Sequence, residues 1–235
     1  MIVYGRNPVR EALRGPRAVK RVWATKNAAR EPWLPAGVAV ATSEEIERLC
    51  ASDGHQGICA EVAPFRYADA DALLRSRPEP LLVALDQIQD PQNLGSICRS
   101  AECAGFDGVV IPERRSAEVT PAVCKASAGA VEHLPVARVR NLADFLADAK
   151  AAGVWCYGAD AGGTVPFDQV QWGGGGVVIV LGSEGRGLRP RVAGACDALV
   201  SLPIRGRIES LSVGAAAAVL LYAASAGTGP EIARS

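Results

Sequence analysis

No two cysteines in this chain are spaced C-x-x-C, and the seven that occur (Cys50, Cys59, Cys98, Cys103, Cys124, Cys156, Cys196) are scattered and odd in number. That argues against a zinc site or a disulfide scaffold and for reduced thiols in the cytoplasm. Histidine is scarce: only His55 and His133 occur, neither has an evident partner in sequence, and His55 is expected at the surface. No uncharged apolar run reaches the roughly 18 residues a membrane span needs. The opening MIVYGRNPVREAL puts an arginine where the apolar core of a signal peptide would run. Net charge is also missing, since 25 Lys and Arg balance 25 Asp and Glu. What remains is a soluble intracellular globular chain with no membrane partner, long enough at 235 residues for one large domain or two small ones.

The balanced charge is unevenly spread. The first thirty residues carry eight bases (Arg6, Arg10, Arg14, Arg17, Lys20, Arg21, Lys26, Arg30) against one acid, Glu11. Such a patch suits an anionic partner such as RNA, and equally a solvated basic helix face. In this region strands are predicted at IVY, VKRVWAT, VAVAT and HQGICAEVAPF. Two helices are predicted between them, one opened by Asn7-Pro8 and one capped by Ser43. Together they form a small α/β unit. RYADADALLRSRPEP then reads as a linker containing a short helix, with a boundary near Pro78.

Beyond it strand and helix alternate, which predicts a parallel sheet covered on both faces. The strands are LLVALD, GVVIP, LPVARV, VWCYGAD, Val177 to Leu181 and LVSLP. Asn93 is placed to cap LGSICRSAECAG, Thr120-Pro121 opens AVCKASAGAVE, and Asn141 caps LADFLADAKAAG. QWGGGG reads as a flexible lead into a strand. An alanine-rich helix closes the pattern, and the tail after Gly227 is expected to be disordered.

Three segments share a grammar of apolar strand, glycine loop and helix: LLVALDQIQDPQNLGSICRSAECAG, VVIVLGSEGRGLRP and LPIRGRIESLSVGAAAAVLLYAA. In open α/β sheets ligands sit at the carboxyl ends of strands, and glycines there admit close backbone approach. LGSEGRGL lacks the Lys-Ser/Thr of a P-loop and the G-x-G-x-x-G of a dinucleotide site. Arg99 falls on a mostly apolar helix, so a buried arginine end with an anionic partner is expected, either Glu184 or an RNA phosphate.

DPQNLGSICRSAECAGFDGVVIP, VVIVLGSEGRGL and LPIRGRIESLSVGAAAAVLL resemble, in order, the three motifs of the SpoU (TrmH-type) RNA ribose 2'-O-methyltransferases of the SPOUT superfamily. YGRNPVREAL and HQGICAEV resemble the L30e-like substrate-binding domain of the bacterial 23S rRNA guanosine methyltransferases. The resemblance implies an L30e-like domain over 1–66, a linker over 67–79, and a SPOUT catalytic domain with a C-terminal trefoil knot over 80–226. It leaves 227–235 as tail. It also implies S-adenosylmethionine held by Gly158, Ala159 and Asp160, by Gly182 within Leu181 to Glu184, by Leu202 to Ile204, and by Leu211. A homodimer through the catalytic domain with RNA lying across both subunits completes the picture.

The matching catalytic positions are Asn93, Arg99, Glu184 and Ser210, with Ser212 standing where the family usually has asparagine. A guanidinium holds its proton too tightly for Arg99 to be a good base. Its expected role is to pair a phosphate and stabilise the developing alkoxide, with Glu184 orienting it or contacting RNA, and with Asn93 and Ser210 holding the nucleoside. Two alternatives share these motifs: a tRNA ribose methyltransferase, and a weakened RNA-binding relative marked by Ser212. The additional N-terminal domain favours rRNA. No metal is implied.

Overall fold

The structure is a computed structural model and describes residues 1–208 and 210–227. The expected tail therefore lies outside the described residues, apart from Gly227, which ends the last helix.

The N-terminal unit runs β1 (Ile2–Tyr4), α1 (Arg6–Arg14), β2 (Val19–Ala24), β3 (Ala39–Val40), α2 (Ser43–Cys50) and β4 (Ile58–Val62). Its four strands pair in the order β1-β4-β2-β3. Thr42, not Ser43, caps α2. Its Oγ1 accepts the Glu45 N–H at 3.2 Å while the Glu45 carboxylate accepts the Thr42 N–H at 2.7 Å. That reciprocal box needs a Glu three residues on; Thr42 has Glu45, whereas Ser43 has Ile46. α1 likewise begins at Arg6, before Pro8.

α3 (Ala70–Leu74) follows, and then β5 (Leu81–Asp86), α4 (Pro91–Cys103), β6 (Gly108–Pro112), α5 (Pro121–Ala126) and β7 (Val136–Val139). After α6 (Leu142–Ala151) come β8 (Trp155–Ala159), β9 (Val165–Pro166), β10 (Val177–Gly182), α7 (Pro190–Ala193), β11 (Ala198–Ser201) and α8 (Val213–Gly227). The seven strands form a parallel sheet in the order β7-β6-β5-β10-β8-β11-β9. The apolar sides of α4, α5 and α8 cover one face and those of α3, α6 and α7 the other. Six consecutive buried residues in β5 reflect burial from both sides. The structure thus has the α/β class expected, with β9 and α7 unannounced because two and four residues are too short to show a period.

Further expectations need correction. α4 starts three residues before Leu94: Asp90 caps it, accepting the Gln92 N–H at 3.0 Å, and Pro91 at N1 loses no bond by lacking an N–H. Asn93 is therefore a first-turn residue. QWGGGG is anchored, because Trp172 is buried and stacks edge-on against Tyr157 at 5.2 Å. His55 is 5 % exposed, and its Nδ1 accepts the Gly57 N–H at 2.9 Å, which makes it a turn-stabilising core residue.

The linker is not slack. Tyr67 Oη accepts the Val119 N–H at 3.0 Å, and Leu73 and Leu74 are buried under the large sheet. AVCKASAGAVE, expected as one helix, breaks at Gly129 (φ +91°), where a Cβ would lie 2.7 Å from Glu11 Cβ of α1. The break turns Glu132 towards Arg17. These side chains are 1 % and 8 % exposed and form a two-pronged ion pair, with Nε to Oε2 at 2.9 Å. Burial works against the Arg17 charge, but Glu132 outweighs it and holds the guanidinium above its usual pKa. Three more of the eight N-terminal bases are also paired, Arg6 with Glu31, Arg14 with Glu11 and Lys20 with Glu61. The patch available to an anion is correspondingly smaller, since among the described residues no ion pair is formed by Arg10, Arg21, Lys26 or Arg30.

Breaking a buried pair from one side strands the other charge. Glu132→Gln is expected to lower unfolding free energy by about 3–5 kcal/mol, read from urea titration. Lys20→Gln, at an exposed pair, should change it by less than about 1 kcal/mol.

Candidate active site

A cavity of about 590 Å³ opens at the carboxyl ends of β8, β10 and β11, against the start of α8. That volume lies within the roughly 300–1,000 Å³ of small-molecule pockets. Three backbone segments make its walls: Ala159 to Ala161, Leu181 to Gly187, and the chain from Leu202 into α8.

The middle segment folds back on itself. A Cβ on Gly182 would sit 2.2 Å from the carbonyl carbon of Gly187, so only glycine fits. The fold-back is closed by the Gly187 N–H donating to the Ser183 carbonyl at 2.9 Å, with Gly185 and Gly187 at φ +77° and +64°. At its tip the Glu184 carboxylate accepts the Val213 N–H, 3.3 Å away at the first turn of α8. A carboxylate there meets an orphan donor and the positive end of the helix dipole. Ser212 caps the same helix. Its Oγ accepts the Ala215 N–H at 3.3 Å and its carbonyl the Ala216 N–H at 3.0 Å. Beside them Asp160 accepts the Gly162 N–H at 2.8 Å, folding the first wall into a tight turn.

Of the positions singled out in sequence, Ala159, Asp160, Gly182, Glu184, Leu202, Ile204, Ser210, Leu211 and Ser212 all line this cavity. Ile204 and Leu211 are 42 % and 48 % exposed, apolar walls left open to a ligand. Gly158 lies behind the wall. It is buried, and a Cβ there would press on Leu188 and Leu199 at 2.8 Å, so it serves packing.

Asn93 and Arg99 stand outside the lining, on α4. Leu94, Ile97, Cys98 and Ala101 make the buried side of that helix, and Arg99 is on the exposed side. Among the described residues it has no ion pair. The expected Arg99–Glu184 contact is replaced by the bond from Glu184 to α8. α4 and α8 cross where a Cβ on Gly214 would meet Ser96 Oγ at 2.7 Å, so Gly214 permits close helix packing. Asn93 lies one turn N-terminal of that crossing.

Sequence reasoning missed Asp86 and Arg189, which join behind the loop. The available signal was a lone acid ending an otherwise apolar strand. Burial disfavours the thiolate, pushing Cys59 and Cys98 up to about 12, and Cys124 to about 11 despite the nearby Arg17. No group of three or more His, Cys, Asp or Glu that could hold a metal occurs among the described residues.

Residues 80–222 match the model of the SpoU rRNA Methylase family. This chain belongs to that family. Its residues 2–68 match the RNA 2'-O ribose methyltransferase substrate binding module. Among SpoU/TrmH relatives, YacO of Bacillus subtilis, named as a TrmH family tRNA/rRNA methyltransferase, is 37 % identical over 94 % of this chain and 93 % of its own. An AdoMet-bound rRNA methyltransferase from Sinorhizobium meliloti superposes with TM-score 0.77, at 26 % identity, over 95 % of this chain and 85 % of its own. The structure of an enzyme of 2-OH methylation of C/U34 on tRNA covers 97 % of itself but 64 % of this chain (TM-score 0.57, 24 % identity). The SpoU fold is therefore assembled here with its substrate module attached. No described helix is long and apolar enough to cross a membrane.

The cap assigns Ser212 a measurable part. Ser212→Ala should lose about 1 kcal/mol of stability, while Ser212→Asn, an equally good cap, should stay within about 0.5 kcal/mol, both read by thermal and urea unfolding.

Proposed function

We propose that this protein is an S-adenosylmethionine-dependent 2'-O-methyltransferase acting on a ribose of RNA, most specifically a guanosine of 23S rRNA, in the cytoplasm. The observation that carries the reading is the glycine-only fold-back at Gly182, which exposes main-chain groups to a cavity sized for a nucleoside cofactor. Leu202, Ile204 and Leu211 supply apolar walls and Glu184 a negative charge for a sulfonium ligand. Held there by the fold-back and by Leu202, Ile204 and Leu211, S-adenosylmethionine would supply an electrophilic methyl to the ribose 2'-oxygen, leaving as neutral S-adenosylhomocysteine while the 2'-proton would pass to solvent.

The side chains around the cavity divide the remaining work. Arg99, solvent-facing and always charged, pairs an RNA phosphate and steadies negative charge growing on the 2'-oxygen. Glu184 fixes the corner between the fold-back and α8 and is not the orienter of Arg99. Asn93 and Ser210 hold the nucleoside. Ser212 contributes chiefly as a cap. The reading for rRNA over tRNA rests on the 2–68 module, which matches the RNA 2'-O ribose methyltransferase substrate binding model. Arg10, Arg21, Lys26 and Arg30 remain on the N-terminal unit for phosphates.

The return of the chain from β11, beyond β8, to α8 against α4 supports the trefoil knot of this superfamily. α8 carries no charge along its length, and its Val219 and Tyr222 are 40 % and 54 % exposed. An apolar stripe of that kind supports a homodimer through the catalytic domain.

Labelled methyl transfer onto ribosomal RNA, with primer extension mapping the 2'-O-methyl, tests the reading; label appearing only in tRNA would favour the tRNA alternative. Arg99→Lys is expected to lose about 100-fold in turnover with cofactor affinity unchanged, and near-normal methylation would sink its assignment. Val219→Asp combined with Tyr222→Glu should convert dimer to monomer in sedimentation analysis.

A further inference from the structure

Asp86 ends β5, directly opposite Gly182 in the parallel pairing with β10. Its side chain is fully buried, yet it does not line the cavity. Each oxygen has its own donor on one residue: Oδ2 accepts the Arg189 backbone N–H at 2.8 Å, and Oδ1 accepts Arg189 Nε at 2.7 Å. Arg189 is where the chain leaves the fold-back and enters α7, at φ −63°. The loop is thus held at both feet by one residue: the main chain of Asp86 is in register with Gly182 at its start, and the carboxylate grips Arg189 at its end. Between these feet Gly187 faces the cavity, and Leu188 is 8 % exposed, packed beside Gly158.

We propose that Asp86 is a positioning residue for S-adenosylmethionine, acting through Arg189 to fix the return limb of the Gly182–Leu188 loop. The inference rests on the cofactor reading above. A carboxylate is required because two donors need two acceptor oxygens. Asparagine has one, and it turns an NH₂ towards the other donor. Letting go of Arg189 frees Gly187 and Leu188 to move away from Gly182, and the cradle widens without any residue at the cavity surface having changed.

The test uses full-length protein and isothermal titration with S-adenosylmethionine and with S-adenosylhomocysteine. Asp86→Asn is expected to weaken both by about ten-fold, while kcat at saturating cofactor stays within about two-fold. Amide exchange at Gly187 to Arg189 in cofactor-free protein should quicken, with β5 and β10 still protected. Arg189→Ala keeps the backbone bond and should weaken binding by only about three-fold. Arg189→Pro fits the observed φ but removes the N–H, and should weaken binding more than Arg189→Ala. Should Asp86→Asn fail to fold, the Ala and Pro pair carries the test, and equal affinities for the two overturn the proposal. Wild-type affinity in Asp86→Asn, even with a lowered melting temperature, overturns it as well. Wild-type protein that binds no S-adenosylmethionine overturns the cofactor reading along with it.

Discussion

Main chain packed on main chain at Gly182 is the constraint from which the site follows. With 2.2 Å between its missing Cβ and Gly187, the loop after β10 has one shape open to it. That shape puts Glu184 at the N-terminus of α8, and seats Leu188 behind the wall against Gly158. A fold-back made of backbone presents N–H and C=O groups that no side-chain motion can withdraw. Recognition by such a surface depends on the loop's placement more than on residue identity. This is why the polar groups that matter most here either cap something or hold something in place.

The junction between the two units obeys a different economy. Arg17 and Glu132 are both taken from water, and their attraction offsets a desolvation cost that leucines would not have incurred. What the pair supplies is registration. The helix breaks at Gly129 to bring Glu132 round, so the N-terminal unit is fixed at one orientation over α5. On the proposed function the N-terminal unit presents RNA to the cavity on the other unit, a task served by a set orientation more than by extra stability. The three surface pairs on the same unit lower its free positive charge, leaving a smaller group of bases for phosphate contact.

Legibility from sequence followed the physics of each signal. Long apolar strands such as LLVALD and VVIVL were readable because burial on both faces leaves no alternation to misjudge. The loops at their ends were readable because glycine marks places where a Cβ cannot go. Helix starts were less so: Thr42 and Asp90 win over Ser43 and Asn93 through bonds to particular N–H groups, which composition near a boundary does not rank. Arg99 was misread for another reason. A helix with an apolar majority still has an outer side, and residue 99 falls on it although its sequence neighbours are buried. Asp86 and Arg189, 103 residues apart, meet only because β5 and β10 are neighbours, and no local pattern reports that.

The serine at 212 changes meaning in this light. Read by sequence alone, a hydroxyl in place of an amide suggests a weakened catalytic corner. In the fold, position 212 is the residue before α8, with its side chain accepting from the third N–H of the helix. Serine and asparagine are nearly equivalent there, because each offers an oxygen at the reach a cap requires. The exchange therefore preserves the position of Val213, to which Glu184 is bonded, and through Glu184 the tip of the fold-back. On the proposed function, only a direct amide contact to the nucleoside would be lost, with Asn93 and Ser210 proposed to supply the remaining polar groups. What Ser212 visibly does is help hold closed the corner at which the fold-back meets α8.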